Sequence, residues 1–256
     1  MQLIDTHTHL FLPEFDTDRD EMVNRAVSAG VVKLLMPNIN INTVEPMLSA
    51  ADRYKDTCLP MIGLHPTSVF ADYYSQLDRI EDIASSNKFI AVGEIGIDLY
   101  WDKTHLSEQL KAFRRQVALA IRSGLPVVIH SRNSIREVFS VLDEFKGQIL
   151  RGVFHAFSGD QHDAEKAVGM GFKLGIGGPL TFKNSRLDEV VKTIGIEHVI
   201  LETDSPYLAP VPFRGRRNES SYICIINRKL AEILGISEEA SAAVTFENSC
   251  RLFNIS

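Results

Sequence analysis

The stretch from Thr104 to His130, THLSEQLKAFRRQVALAIRSGLPVVIH, decides the fold. Leu106, Leu110, Phe113, Val117 and Ile121 fall at i, i+4, i+7, i+11 and i+15, a single apolar stripe along a helix that begins at Thr104. Ser123-Gly124 stops that helix and Pro126 bars its continuation. Val127-Val128-Ile129 then runs apolar and closes on His130. Helix, glycine stop, short strand: the same unit recurs in both directions. Short β-rich runs occupy residues 3–9, 31–37, 59–65, 90–95, 127–130, 152–155, 172–176 and 199–203. Asp16 or Asp18 can cap a helix running to Ala29-Gly30, and Thr43 opens another with Glu45 in its first turn. The last helices are expected at about 218–234 and 237–253.

Eight strands give units of about 32 residues, enough for a strand and its crossover helix. Continuous Val/Ile/Leu runs suit strands buried on both faces, as parallel sheets require. The reading is an α/β protein, most economically a (β/α)8 TIM barrel in one domain over residues 1–256. An open doubly wound sheet is the rival. A hydrophobic share of 45% and charged share of 23% exclude a disordered or fibrous chain. No apolar run approaches the length of a membrane span, and the start lacks a signal peptide's pattern. Three widely spaced cysteines form no disulfide framework, and unpaired thiols fit a reducing, cytoplasmic setting. A net charge of −6 argues against a general electrostatic grip on nucleic acid but leaves local basic contacts open.

Polar residues gather where the strands end. His7 and His9, two apart, share one face, with Asp5 a step below. Alone, His-x-His is a weak signal. Strand four, however, ends in Glu94, strand five in His130, strand six in His155, and strand eight in Glu202 and Asp204. Functional groups of such barrels sit at the C-terminal ends of the strands. Imidazoles and carboxylates together are ligands for divalent ions, and six exceed what one tetrahedral zinc uses. We therefore expect two ions: Glu94 bridging, His7, His9 and Asp204 completing one centre, His130 and His155 the other. Such ions generate hydroxide near neutrality, with Asp204 placed to take the proton. Zinc or manganese suits the mixed donors best, magnesium less well.

The segments Ile4-Asp5-Thr6-His7-Thr8-His9, Gly63-Leu64-His65-Pro66, Gly93-Glu94-Ile95-Gly96-Ile97-Asp98, His130-Ser131-Arg132, His155-Ala156-Phe157-Ser158-Gly159 and Leu201-Glu202-Thr203-Asp204-Ser205-Pro206 resemble the TatD-related deoxyribonucleases of the amidohydrolase superfamily. The resemblance runs from Asp5 to Glu247-Asn248. It implies a metal-dependent barrel hydrolase with His7, His9, Glu94, His130, His155 and Asp204 as ligands. It also implies phosphodiester hydrolysis of DNA, commonly from the 3′ end. Many other amidohydrolases bridge their ions with a carbamylated lysine; here, as in this branch, Glu94 takes that place.

Further residues have claims on substrate. His65 can hold a phosphate oxygen, Arg132 can present a guanidinium fork, and Glu202 can orient a histidine or touch substrate. Arg214, Arg216 and Arg217 lie in a loop after strand eight that can grip a nucleic-acid backbone. Tyr100 and Trp101, like Phe157 and Phe182, can stack on an unpaired base or merely pack. His105, His162 and His198 lie away from the mouth. The partner expected is DNA, as single strands or frayed ends, with no membrane and no obligate protein partner. Two other classes stay open: a hydrolase of a small ester, lactone or amide, since the same hydroxide attacks carbonyl carbon, and a binding protein that keeps its ions structurally.

Overall fold

Residues 1–101 and 103–255 are described in a computed structural model of the chain. Its strands are β1 (Leu3–Asp5), β2 (Val31–Met36), β3 (Cys58–Pro60), β4 (Val92–Asp98), β5 (Val127–Arg132), β6 (Gly152–Phe154), β7 (Lys173–Ile176) and β8 (Val199–Leu201). All pair in parallel, β1-β2-β3 in one sheet and β4 to β8 in the other. Single parallel bridges, Ile62 with Val92 and Thr8 with Ser205, stitch the two sheets along both edges. Strand order thus follows chain order without reversal, the arrangement of a (β/α)8 barrel, whereas a doubly wound sheet reverses at its switch point.

Between the strands run α1 (Arg19–Ser28), α2 (Val44–Arg53), α3 (Tyr73–Ser86), α4 (Leu106–Ser123), α5 (Ile135–Asp143), α6 (Gln161–Gly169) and α7 (Leu187–Ile194), with α8 (Ile223–Leu234) and α9 (Glu238–Phe253) after β8. The stripe on α4 packs as its spacing requires, with Phe113 and Val117 buried and Leu106, Leu110 and Ile121 against the core. Gly124 ends the helix at φ +65°, in the left-handed region that glycine tolerates. None of the described helices is long and apolar enough to cross a membrane.

Several expected boundaries move, each for a local reason. β1 ends at Asp5 and β3 at Pro60, well short of His9 and His65. Beyond them the chain is held by single bonds to the strands on either side, Thr6 N donating to Leu201 O and Thr8 N to Leu35 O, Met61 N to Met36 O and Ile62 N to Ala91 O. β4 and β5 instead run on to Asp98 and Arg132, which are register partners. Asp18 precedes α1 but caps nothing, its carboxylate being taken by Arg217 and Arg25. Thr43 closes the capping box of the preceding turn, accepting from Asn40 N at 3.0 Å. α8 starts only at Ile223, since buried Asn218 donates its amide to the carbonyls of Thr203 and Tyr207.

A small apolar layer fills the barrel floor: Ile4, Leu35, Met61, Ala91, Val128, Val153 and Ile200, sealed by Leu252 and Phe253 of α9. Val128 and His130, Val153 and His155, and Ile200 and Glu202 are each two apart, so one inward face passes from apolar floor to polar mouth.

Candidate metal centre

Glu94, buried in β4, is the hub of the mouth. Its Oε2 lies 3.1 Å from His7 Nε2 and 3.8 Å from His9 Nε2. Its Oε1 lies 2.7 Å from His130 Nδ1, 3.3 Å from His65 Nε2 and 3.7 Å from His155 Nε2. Asp204 Oδ1 is 3.6 Å from His9 Nε2 and 3.8 Å from both His7 and His155 Nε2. Residues up to 197 apart in sequence therefore meet around two carboxylates. His7 and His9 bring their Nε2 atoms within 3.2 Å of each other, where one proton at most can be shared, while both Nδ1 atoms are buried and unpartnered. Convergent nitrogen and oxygen lone pairs of this kind fit a divalent cation. Among the described residues, three such groupings have all donor atoms within 4.8 Å of one another: His7-His9-Glu94, His7-His155-Asp204 and His65-Glu94-His130.

The grouping differs in one respect from the expected division. His155 stacks on His7, ring centroids 3.4 Å apart, and stands between the two carboxylates rather than beside His130 alone. His65, expected to reach for phosphate, is the imidazole beside His130, Nε2 to Nδ1 3.3 Å.

Outer residues lock the inner ones. Glu202 is almost wholly buried; its Oε1 accepts from Ala156 N at 2.6 Å and lies 3.0 Å from His155 Nδ1. A Cβ on Gly175 would come within 2.2 Å of Glu202 Oε2, so only glycine leaves room for that carboxylate. Of the two roles expected of Glu202, its burial and its contact with His155 favour orienting a histidine over touching substrate. Asp5 accepts from Thr203 N at 2.9 Å and from its hydroxyl at 2.6 Å, tying β1 to the turn that carries Asp204. Asp204 itself is left-handed at φ +58° and donates its N–H to His7 O at 2.9 Å. The residue the sequence reading passed over is Asp98: its Oδ2 lies 2.8 Å from His130 Nε2, and its Oδ1 accepts from Tyr100 N and Trp101 N. The expected strand stops at residue 95, short of Asp98; the available signal is its place in the Gly93–Asp98 motif.

The electrostatics favour captured cations. Burial works against the Glu94 carboxylate, yet His65, His155 and His7 hold it ionised far below the usual range. Asp204 is likewise held low against burial, chiefly by His155. Burial drives His7 down to about 4, with the charge on His155 adding to it. Burial would lower His155 too, but Glu202, Glu94 and Asp204 raise it to about 10. Ionised carboxylates and a neutral His7 are the protonation states a metal needs of its ligands, whereas His155, and His130, which Asp98 and Glu94 raise against burial, would each release a proton on binding one.

A profile of the TatD-related DNase family matches residues 4–254. The chain belongs to that family. It is 36% identical, over 99% of both chains, to a Bacillus subtilis protein named as an uncharacterized metal-dependent hydrolase, YabD. It is 29% identical, over 99% of this chain and 100% of the other, to a Pectobacterium carotovorum protein named 3′-5′ ssDNA/RNA exonuclease TatD. The crystal structure of the TatD homologue YJJV from Escherichia coli superposes with a TM-score of 0.91 at 30% identity, covering 99% of this chain and 98% of that one. This TatD-family chain is therefore a metal-dependent hydrolase on an amidohydrolase-like barrel.

Over the centre of this TatD-family hydrolase opens a cleft of about 1170 Å³, with Arg132 and Arg214 on its wall. Arg132 lies 3.8 Å over the Tyr100 ring and 5.4 Å over Trp101; Arg214 lies 4.6 Å over Phe182. Phe157 lines the cleft as a buried side chain. The arginine loop divides. Arg216 is exposed but stands off the cleft wall, and Arg217 turns away to Asp18, 2.6 Å, and the Phe15 ring. His105, His162 and His198 precede α4, lie in α6 and precede β8, outside the cluster.

Proposed function

We propose that this TatD-family hydrolase cleaves phosphodiester bonds of DNA, as a 3′-to-5′ exonuclease acting on single strands or frayed ends. The observation that carries the reading is the Glu94-centred cluster opening directly into a cleft whose wall bears Arg132 and Arg214. The named activity of the Pectobacterium relative points the same way. We read the chain as one barrel domain with two divalent cations, zinc, manganese or magnesium. His7, His9 and Asp204 would hold one and His130 the other, with His65 beside it, while His155 and Glu94, which stand between them, would serve both. Bound there, such cations would supply a water acidified toward neutral pH and Lewis-acid stabilisation of a phosphoryl oxygen.

The chain's own side chains do the rest. Asp204 is the more open of the two central carboxylates and is held ionised, so it accepts the proton released as water attacks. Glu202 and Asp98 fix the rings of His155 and His130. Arg132 and Arg214 meet phosphate oxygens as forks, which a lysine's point charge does not replace. The free thiols of Cys58, Cys224 and Cys250 suit a cytoplasmic setting.

A second reading, hydrolysis of a small ester, lactone or amide, draws on the apolar part of the cleft wall, Ile39, Leu208 and Val211 among it. The two are separated by assaying labelled single-stranded and duplex DNA beside aryl esters and lactones, each with manganese or magnesium. Shortening of single-stranded DNA from its 3′ end is expected. Turnover confined to the carbonyl compounds overturns the nuclease reading.

A further inference from the structure

We propose that Tyr100, Trp101 and Arg132 form a stacking platform for the unpaired base of the nucleotide presented to the metal centre. The inference rests on the nuclease reading above and gives it a specificity element. Trp101, the only tryptophan in the chain, is 71% exposed, and Tyr100 is 53% exposed. Aromatic rings that served as packing would be covered; these two stand edge to face, centroids 5.0 Å apart, above the outer end of β4.

Their place is not left to a floppy loop. Asp98 accepts from the backbone N–H of Tyr100 at 2.9 Å and of Trp101 at 3.2 Å, while its other oxygen holds His130 at 2.8 Å. One carboxylate thus sets the platform at a fixed offset from a metal-site imidazole. Arg132, the register partner of Asp98 across β4 and β5, lays its guanidinium on the Tyr100 ring. It offers a flat face and a positive charge together, the pairing that a nucleobase with its phosphate can use. A base inside a duplex has both faces covered by its neighbours, so an unpaired base is the one that can lie against Trp101 and the Arg132 guanidinium, the two members of the platform on the cleft wall, with Tyr100 backing the guanidinium. The occupant is therefore the unpaired end of a nucleic-acid strand.

Because Trp101 is alone, its fluorescence reports the platform without reference to catalysis. The magnesium-loaded protein is titrated with a single-stranded phosphorothioate oligonucleotide, with an oligomer of equal length whose 3′-terminal residues are abasic, and with a blunt hairpin. Saturable quenching by the first alone is expected. Trp101→Ala and Tyr100→Ala should each lower kcat/KM for single-stranded DNA about tenfold relative to that for methyl p-nitrophenyl phosphate, with Trp101→Phe restoring most of the loss. Equal quenching by the abasic oligomer, or DNA cleavage with no quenching and an unchanged ratio, overturns the platform and leaves the nuclease reading standing. Base-dependent quenching in a protein that cleaves neither DNA nor the small diester supports the platform as a strand-binding surface and sinks the nuclease reading instead.

Discussion

The floor and the mouth of this barrel are built on the same strands by opposite rules. At the floor, Ile4, Leu35, Val128, Val153 and Ile200 need only volume and an apolar surface, and α9 closes the layer with Leu252 and Phe253. A few residues further along, the mouth buries His7, His9, Glu94, His155 and Glu202, groups that are costly to bury without partners. Each of those groups meets a carboxylate or imidazole from another strand, although the Nδ1 atoms of His7 and His9 stay unpartnered. The floor stabilises the ring, and the mouth spends part of that stability on chemistry.

The contrast is sharpest in Asp204→Asn, which should leave folding of the metal-free protein within about 1 kcal/mol while lowering hydrolysis by about three orders of magnitude or more. Steady-state assays beside urea unfolding test both halves; near-native turnover would remove Asp204 from the chemistry. Phe253→Ala at the floor should do the reverse, costing about 3–5 kcal/mol of stability with kcat of the surviving folded fraction little changed. If its kcat fell as far as that of Asp204→Asn, floor and mouth would not be separable. Glu202→Gln stands between the two, since it loosens His155 without touching the cleft. Metal affinity should fall about 10- to 100-fold by calorimetry, and unaltered affinity would deny Glu202 its orienting role.

The smallest effect lies outside both regions. Arg217 and, less strongly, Arg25 hold the Asp18 carboxylate at about 2, against an ordinary 3.8. The folded protein therefore sheds a proton that the unfolded chain keeps longer, and the stabilisation is complete above about pH 4 and lost as the pH falls through about 2. Asp18→Asn should cost about 1 kcal/mol at pH 7, discounted for solvent screening, and should flatten the acid limb of the unfolding curve. An unchanged limb would show that this ion pair contributes nothing.

What the sequence made legible was periodic or local. The α4 stripe, the Gly124 stop and the apolar runs announce alternating helices and strands because each is written within one turn or one strand. The inward face at 128/130 and 153/155 is legible for the same reason. Where the alternation fails, reading fails with it: β4 shifts register between Val92 and Ile95, and β1 ends at Asp5, so the directions of Glu94 and His7 depend on contacts with other strands. Partners far apart in sequence are the least visible. Nothing near Arg217 tells of Asp18, 199 positions away, and nothing near His65 tells of His130. Asp98 was visible as a motif residue, yet its role comes from register with β5.

The Thr8–Ser205 bridge and the Thr6–Leu201 hydrogen bond join residues separated by about 195 positions, and His7 and Asp204 stand on either side of that junction. Holding such remote ends together carries a high loop-closure entropy. A cation gripped from both flanks would act as a clasp on the ring, so ion uptake would strengthen its closure. Ion-stripped protein should exchange the amide protons of β1 and β8 ahead of those in β4 and β5.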